Sequence, residues 1–283
     1  MNQPFDLWFR EVHRDGYAVG VRVTGYPYSG RSRYQKIDVV ETALLGKVLL
    51  LDGIFMLTEK DEFIYHDMLI HIPLFTHPNP RSVLIIGGGD GGSAREVLRH
   101  PTVERVEMVE LDEKVVEVCK EHFPALTCAL DDPRLTIHYA DGIEFVKGKT
   151  AEYDAVIVDS TDPIGPALGL FSESFYADCH RALREDGVLS AQIGSPFFDA
   201  PDIRDILGNL AASFPIARPY TASVPTYPGG FWAFGFGSKG PDPMAGPDPK
   251  RVAAVSGGFQ YYNPRIHTAS FVLPTYFEEA LRA

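Results

Sequence analysis

Hydrophobic and polar positions change rhythm along this chain. From about Leu7 to Asp52 they alternate with a period of two in short runs, YAVGVRVT, YQKIDVVET and GKVLLLDG, punctuated by Gly, Pro and Ser. Successive side chains of a strand face opposite ways, so this texture predicts antiparallel hairpins. From Glu59 to Phe75, EKDEFIYHDMLIHIPLF spaces its apolar residues as an amphipathic helix would. PNPRS then breaks the chain, and a second texture begins.

From Ser82 onward, strand-like runs alternate with helical ones. SVLIIG, RVEMVEL, LTIHYAD, YDAVIVDS and GVLSAQIG read as strands, with helices near Ser93–Arg99, Glu113–His122, Ile143–Val146 and Ser172–Leu183. Such alternation predicts a parallel sheet with crossover helices, hence an α/β fold. ASVPTYPGGFWAFGFGS reads as a late hairpin, and GSKGPDPMAGPDPK as a Pro/Gly-rich loop too short to separate another domain.

Composition narrows the function class. The 283 residues are 45% hydrophobic, enough for a full core, and carry a formal net charge of -12, which argues against a nucleic-acid or anionic-membrane binder. The three cysteines form no C-x-x-C, and the nine histidines no H-E-x-x-H. These facts predict a reducing compartment, no disulfide frame and no metal. MNQPFDLWFREVHRDG lacks the pattern of a signal peptide, and no apolar run is long enough to span a bilayer. The expected location is the cytoplasm.

Ligands of a parallel sheet bind at the carboxyl ends of its strands. The first strand ends in GGGDGG, where Gly87, Gly89 and Gly92 satisfy G-x-G-x-x-G. The second ends at Glu110, placed to take ribose hydroxyls, the third at Asp141-Gly142, and the fourth at Asp159-Ser160-Thr161-Asp162. Asp141 and Asp162 also suit plain Asx turns, and Glu110 an ordinary loop. Together they ring one crevice with carboxylates. Asp90 lies inside the glycine loop itself, where a pyrophosphate would be repelled at a cost of kilocalories in a low-dielectric site. A nucleoside that carries a positive sulfonium and no phosphate would be attracted instead. S-adenosylmethionine also carries a carboxylate, which Asp90 disfavours; its decarboxylated form ends in an ammonium, which Asp90 favours.

IIGGGDGGSAREVLRH resembles the signature of the spermidine synthases, the polyamine aminopropyltransferases. SRYQKIDVVET, LDGIFMLTEKDEFIYHDMLIHIPL, DSTDPIGP, PTYPGGFW and YYNPRIHTASFVLP are similar to further blocks of that family, in order along nearly the whole chain. The resemblance implies a small antiparallel β domain (residues 1–75, ending in a helix) on a Rossmann-like, methyltransferase-type catalytic domain (76–283). It implies a homodimer or homotetramer that needs no metal. Gln35, Glu110, Asp141, Gly142 and Pro166 would contact the methylthioadenosine part of decarboxylated S-adenosylmethionine. Asp90 and His66 would face the aminopropyl and polyamine region. Asp159 would be the general base, close to Tyr65; Asp162 would hold the far ammonium of putrescine, and Tyr227 would line the amine channel with Tyr65. The chain departs from the pattern at Ser93-Ala94, where bulkier residues are expected, and at Gly169 after the DSTDPIGP motif. Acceptors other than putrescine (cadaverine, agmatine, spermidine) and a putrescine N-methyltransferase remain open alternatives. A dinucleotide-dependent dehydrogenase is disfavoured by Asp90, and a non-catalytic polyamine binder by the intact Asp159, Tyr65 and Asp162.

Overall fold

The computed structural model describes residues 7–162, 165–255 and 257–283, with the side chains of residues 165 and 166 outside the described set. The expected contact of Pro166 therefore lies outside the described residues.

Five strands form an antiparallel meander in chain order: β1 (Trp8–Arg14), β2 (Tyr17–Arg31), β3 (Lys36–Thr42), β4 (Gly46–Leu51) and β5 (Ile54–Thr58). Helix α1 (Glu62–Thr76) follows. Seven strands form the larger sheet: β6 (Ser82–Gly87), β7 (Arg105–Glu110), β8 (Leu135–Tyr139), β9 (Tyr153–Asp159), β10 (Leu183–Gly194), β11 (Ile216–Ala222) and β12 (Trp232–Ser238). Their order is β11-β12-β10-β9-β6-β7-β8, parallel from β10 to β8, with β12 running antiparallel to both neighbours. The helices after α1 are α2 (Gly92–Leu98), α3 (Glu113–His122), α4 (Pro124–Thr127), α5 (Gly142–Lys147), α6 (Glu173–Ala182), α7 (Ala200–Ser213), α8 (Pro249–Ala254), α9 (Pro264–Ala269) and α10 (Thr275–Arg282). This is the expected Rossmann-like, methyltransferase-type sheet behind an antiparallel N-terminal sheet.

Strand β6 shows why the larger sheet reads as continuous apolar sequence. Val83 and Ile85 point into a core with Met68, Leu69 and Ile72 of α1, while Leu84 and Ile86 point into the opposite core with Phe175 and Tyr176 of α6. Both faces are covered, so no polar alternation survives. The smaller sheet turns Ile37, Val39 and Leu49 toward Val115, Val118 and Phe123, which seats it on α3 and the turn into α4. Side chains cap the helices locally: Asp112 accepts from Lys114 N, Asp141 from Ile143 N and Ser172 from Phe175 N.

Three expectations change. Helix α1 is not amphipathic in place: it is buried on nearly every side, including Glu62, His66, Asp67 and His71. Its side chains join the core of the seven-stranded sheet, although the expected division at residue 75 assigns it to the N-terminal segment. The late hairpin exists, but its first strand is Ile216–Ala222; most of the ASVPTYPGG segment is its connection. Strand β5 and helix α7 are additions to the expected elements: IFMLT is apolar without alternation, whereas α7 does space Ile203, Ile206 and Leu210 along one buried face.

Asp67 anchors the C-terminal segment. Its Oδ2 accepts backbone N–H groups from Gln260, Tyr261 and Tyr262 at 3.2, 2.8 and 3.0 Å. Asp67→Ala leaves the buried Tyr262 N–H unpaired and frees the more exposed Gln260 and Tyr261 donors, and is expected to lower unfolding stability by about 2 kcal/mol, read from the urea midpoint at constant slope.

Candidate active site

The sheet's order reverses between β6 and β9, and a crevice opens at their carboxyl ends. A cavity of about 310 Å³ fills it. Gln35, Tyr65, His66, Asp90, Glu110, Asp141, Gly142, Asp159, Asp162 and Tyr227 all line it. The topology thus brings together every expected site residue whose side chain is described.

Backbone geometry sets the floor of the cavity. Gly87 has φ +84°, and a Cβ there would collide with the backbone carbonyl oxygen of Asp159 on the neighbouring strand. Gly88 N then donates to that same oxygen at 2.9 Å. Gly92, the third glycine of the motif, has the ring of His66 where a Cβ would sit. Its absence lets α1 and α2 approach until His66 reaches the glycine loop. Asp90 turns back on the loop, its Oδ1 accepting from Gly92 N at 2.7 Å and lying 3.5 Å from His66 Nε2.

Two carboxylates, Asp90 and Asp159, share this floor. Asp159 Oδ1 accepts the Tyr65 hydroxyl at 2.8 Å, and Oδ2 accepts the Ser93 hydroxyl at 2.7 Å. Burial, and then the charge of Asp90, push the Asp159 carboxyl above its ordinary range. Burial opposes ionisation of Asp90 too, but the His66 imidazolium and the Gly92 N–H overcome it and hold Asp90 below its ordinary range. His66 is raised well above the usual imidazole range although burial works the other way, because Asp90 and Glu62 flank it. The pair is therefore split in opposite directions, Asp90 toward the more acidic and Asp159 toward the more basic carboxylate. Tyr65 is pushed well up by burial and by Asp159, so it stays a hydroxyl donor.

Beside the glycine loop, at the end of β7, lies Glu110, whose carboxylate accepts from Gly89 N at 3.1 Å and Asp112 N at 2.8 Å. Burial nevertheless pushes its pKa up to about 7, with Asp112 and Asp159 adding to the rise. Gln35 donates to Asp112 Oδ2 at 3.0 Å, which ties the smaller sheet to this wall. Asp141 lines the cavity while capping α5 through Ile143 N, so the turn role and the lining role coexist.

An adjoining cavity of about 30 Å³ shares Tyr65, Asp162 and Tyr227 and adds Glu11, Gln192 and Trp232. Tyr227 packs edge-on against Tyr65 with centroids 5.8 Å apart and donates to Met56 O at 2.7 Å. Asp162 is raised by burial and by Asp199. Glu11, also raised by burial, accepts from Phe55 N at 2.7 Å. The sequence reading missed Glu11, Glu62, Gln192 and Trp232. It noted Ser93 only as a departure in size. Glu11 sits on β1, far in sequence from every strand end of the larger sheet, so no strand-end motif flagged it.

Among the described residues, His66, Asp90 and Asp159 offer three ligand atoms within 4.8 Å of one another, open to the cavity. Two other such groups are engaged internally: Asp67 and Glu96 by backbone N–H groups, Arg95 and Arg99, and Asp154 by Arg81 N, Ser82 N and Arg184. The open group suits any compact cation, an alkylammonium included. Among the described residues the cavity is lined by acids and aromatic rings, and no Lys or Arg lines it.

Residues 62–244 match the family model described as Spermine/spermidine synthase domain, and residues 7–59 match that described as Spermidine synthase tetramerisation domain. The chain belongs to the spermine/spermidine synthase family of aminopropyltransferases. It is 49% identical over 277 residues to the polyamine aminopropyltransferase of Moorella thermoacetica, covering 98% of this chain and 97% of that one. It is 45% identical over 278 residues to that of Clostridium beijerinckii, covering 98% of each. Among solved structures it superposes with a TM-score of 0.95 on spermidine synthase in complex with the transition-state analogue AdoDATO, at 44% identity over 98% of this chain and 95% of that one. Spermidine synthase from Thermotoga maritima gives a TM-score of 0.93 at 44% identity, covering 98% and 94%. The match of the smaller sheet to a tetramerisation domain supports assembly into an oligomer.

Because the His66 ring fills the space beside Gly92, Gly92→Ala is expected to displace it from Asp90. Turnover should fall at least about tenfold and stability by roughly 2 kcal/mol, measured by steady-state assay and thermal unfolding.

Proposed function

We propose that this enzyme transfers the aminopropyl group of decarboxylated S-adenosylmethionine to putrescine, giving spermidine and methylthioadenosine. The observation that carries the reading is the split carboxylate pair: Asp159, raised and held by Tyr65, beside Asp90, lowered by His66 and the Gly92 N–H. The likeness to a spermidine synthase that binds AdoDATO supports it.

In this reading the nucleoside occupies the larger cavity. Glu110 takes the ribose hydroxyls, and Gln35, Asp141 and Gly142 surround the methylthioadenosine part. Asp90 and His66 face the aminopropyl end, and Asp90 receives its ammonium. Putrescine enters between Tyr65 and Tyr227, with its far ammonium at Asp162 and, as a further anion, Glu11. A protonated alkylamine has its pKa near 10 and is not a nucleophile. A sulfonium in the same dry site lowers that pKa, and Asp159, made more basic by burial, accepts the proton. The amine lone pair then attacks the carbon next to sulfur. The C–S bond breaks, and sulfur keeps the electron pair as a neutral thioether. Charge is dispersed in this step, so alignment of amine, carbon and sulfur carries much of the acceleration. Assembly as a homodimer or homotetramer through the smaller sheet belongs to the same proposal.

The test is turnover of decarboxylated S-adenosylmethionine with putrescine, cadaverine, agmatine and spermidine, reading methylthioadenosine release and product mass. Putrescine is expected to be preferred and to gain one aminopropyl unit. A methylated product from S-adenosylmethionine, or no product from any amine, would overturn the reading. Asp159→Asn is expected to lose about 10²-fold or more in kcat while methylthioadenosine still binds.

Glu110 yields a pH dependence. Ribose hydroxyls donate to the ionised carboxylate, so binding favours deprotonation of a group whose pKa in the free enzyme is about 7. Below that pH the nucleoside must first displace a proton. Affinity for methylthioadenosine is expected to be level above pH 8 and to fall by nearly tenfold per unit below pH 6.5, with proton release on binding. Calorimetry in two buffers of different ionisation enthalpy measures both, and Glu110→Gln should flatten the profile.

A further inference from the structure

The second oxygen of Asp159 has its own donor. Ser93 is completely buried at the start of α2, and its hydroxyl lies 2.7 Å from Asp159 Oδ2. A serine hydroxyl has a single hydrogen, and here it goes to a carboxylate on another element rather than to the helix backbone. Tyr65 holds Oδ1 from α1, on the other side of the carboxylate. Two donors on two oxygens fix the rotation of the carboxylate plane, which one donor alone leaves free.

We propose that Ser93 is the positioning residue of Asp159: its hydroxyl holds Oδ2 so that the carboxylate faces the amine in one orientation and stays ionised during turnover. The proposal rests on the reading of Asp159 as the proton acceptor. The groups that face Asp159 are Asp90 from the glycine loop, Tyr65 and His66 from α1, Glu110 at the end of β7 and Tyr227 from the β11–β12 connection. Asp90 and Glu110 oppose a second negative charge, and burial opposes it most. His66, Ser93 and Tyr65 favour that charge. Of these three, His66 already compensates Asp90, and Tyr65 reaches only Oδ1. Ser93 alone serves Oδ2 among the described hydrogen bonds. A hydrogen bond to the charged form lowers a carboxyl pKa, so its removal raises it. Since the base must be ionised to act, the acid limb of the rate profile then moves to higher pH.

The experiment is the pH profile of kcat/KM for the amine, at saturating decarboxylated S-adenosylmethionine, in Ser93→Ala and Ser93→Thr. In Ser93→Ala the acid limb is expected to move up by about one pH unit, a tenfold loss below the limb that recovers at alkaline pH, with KM for the nucleoside within about twofold of wild type. Ser93→Thr keeps the hydroxyl and should restore the limb. If Ser93→Ala does not fold, Ser93→Cys, of similar shape and a weaker donor, should show the same displacement in smaller degree. An acid limb unmoved in the alanine variant, or a loss of rate equal at all pH values, overturns the proposal. Asp159→Asn separates the two readings. Full turnover in that variant sinks the proton-acceptor reading. Its inactivity, alongside a wild-type profile for Ser93→Ala, sinks the Ser93 proposal alone.

Discussion

Two carboxylates, Asp90 and Asp159, meet half-buried at the floor of one cavity, and the arrangement around them is the means of keeping them there. Like charges so placed repel by kilocalories unless opposite charge and donors surround them. His66 supplies the charge for Asp90 and is backed by Glu62 at 2.7 Å. Arg95 bridges Glu62 and Glu96, and Glu96 continues to His71 and Arg99. A buried chain of alternating charge thus runs between α1 and α2 and ends at the catalytic floor. Each member is tolerated because its neighbour is present, and removing one strands the next.

That chain explains why α1 is polar and buried together. Its aliphatic residues join the core of the larger sheet, while Glu62, His66, Asp67 and His71 are each paired inside the protein. A helix that served only as a lid would show one wet face. Here the polar residues point at α2 and the C-terminal segment, so the helix fixes the glycine loop from behind. The missing Cβ of Gly92 permits the close approach.

The charge of the walls is set by what they lack as much as by what they hold. The glycine loop presents Asp90 where a phosphate binder would present only N–H groups, and Glu110 lies against the same loop, bound to Gly89 N. The smaller sheet completes the site through Gln35, which binds Asp112, and through Glu11, which adds an acid beside Asp162. The adjoining small cavity is therefore walled jointly by the smaller sheet, the ends of β9 and β10 and the β11–β12 connection, whereas the larger cavity is floored mainly by the strand ends of the larger sheet.

Much of this was legible along the chain. The change from two-residue alternation to alternating strands and helices set the fold class, because period follows directly from whether a strand is covered on one face or two. The carboxylates at successive strand ends were legible because a parallel sheet places all those ends at one edge. Asp90 inside the glycine loop carried the sign of the ligand's charge, since Coulomb repulsion needs no detailed geometry. The tertiary structure alone decided which donor meets which oxygen. Ser93 read as a mere change in size until folding aimed its hydroxyl at Asp159. Glu11 read as one polar position in a hairpin until β1 was laid against the acceptor cavity. Helix α1 read as amphipathic although it is buried on nearly every side, because spacing records polarity but not the partners that neutralise it. Pattern and charge are properties of the chain, whereas a pKa and a hydrogen bond depend on neighbours that only packing supplies.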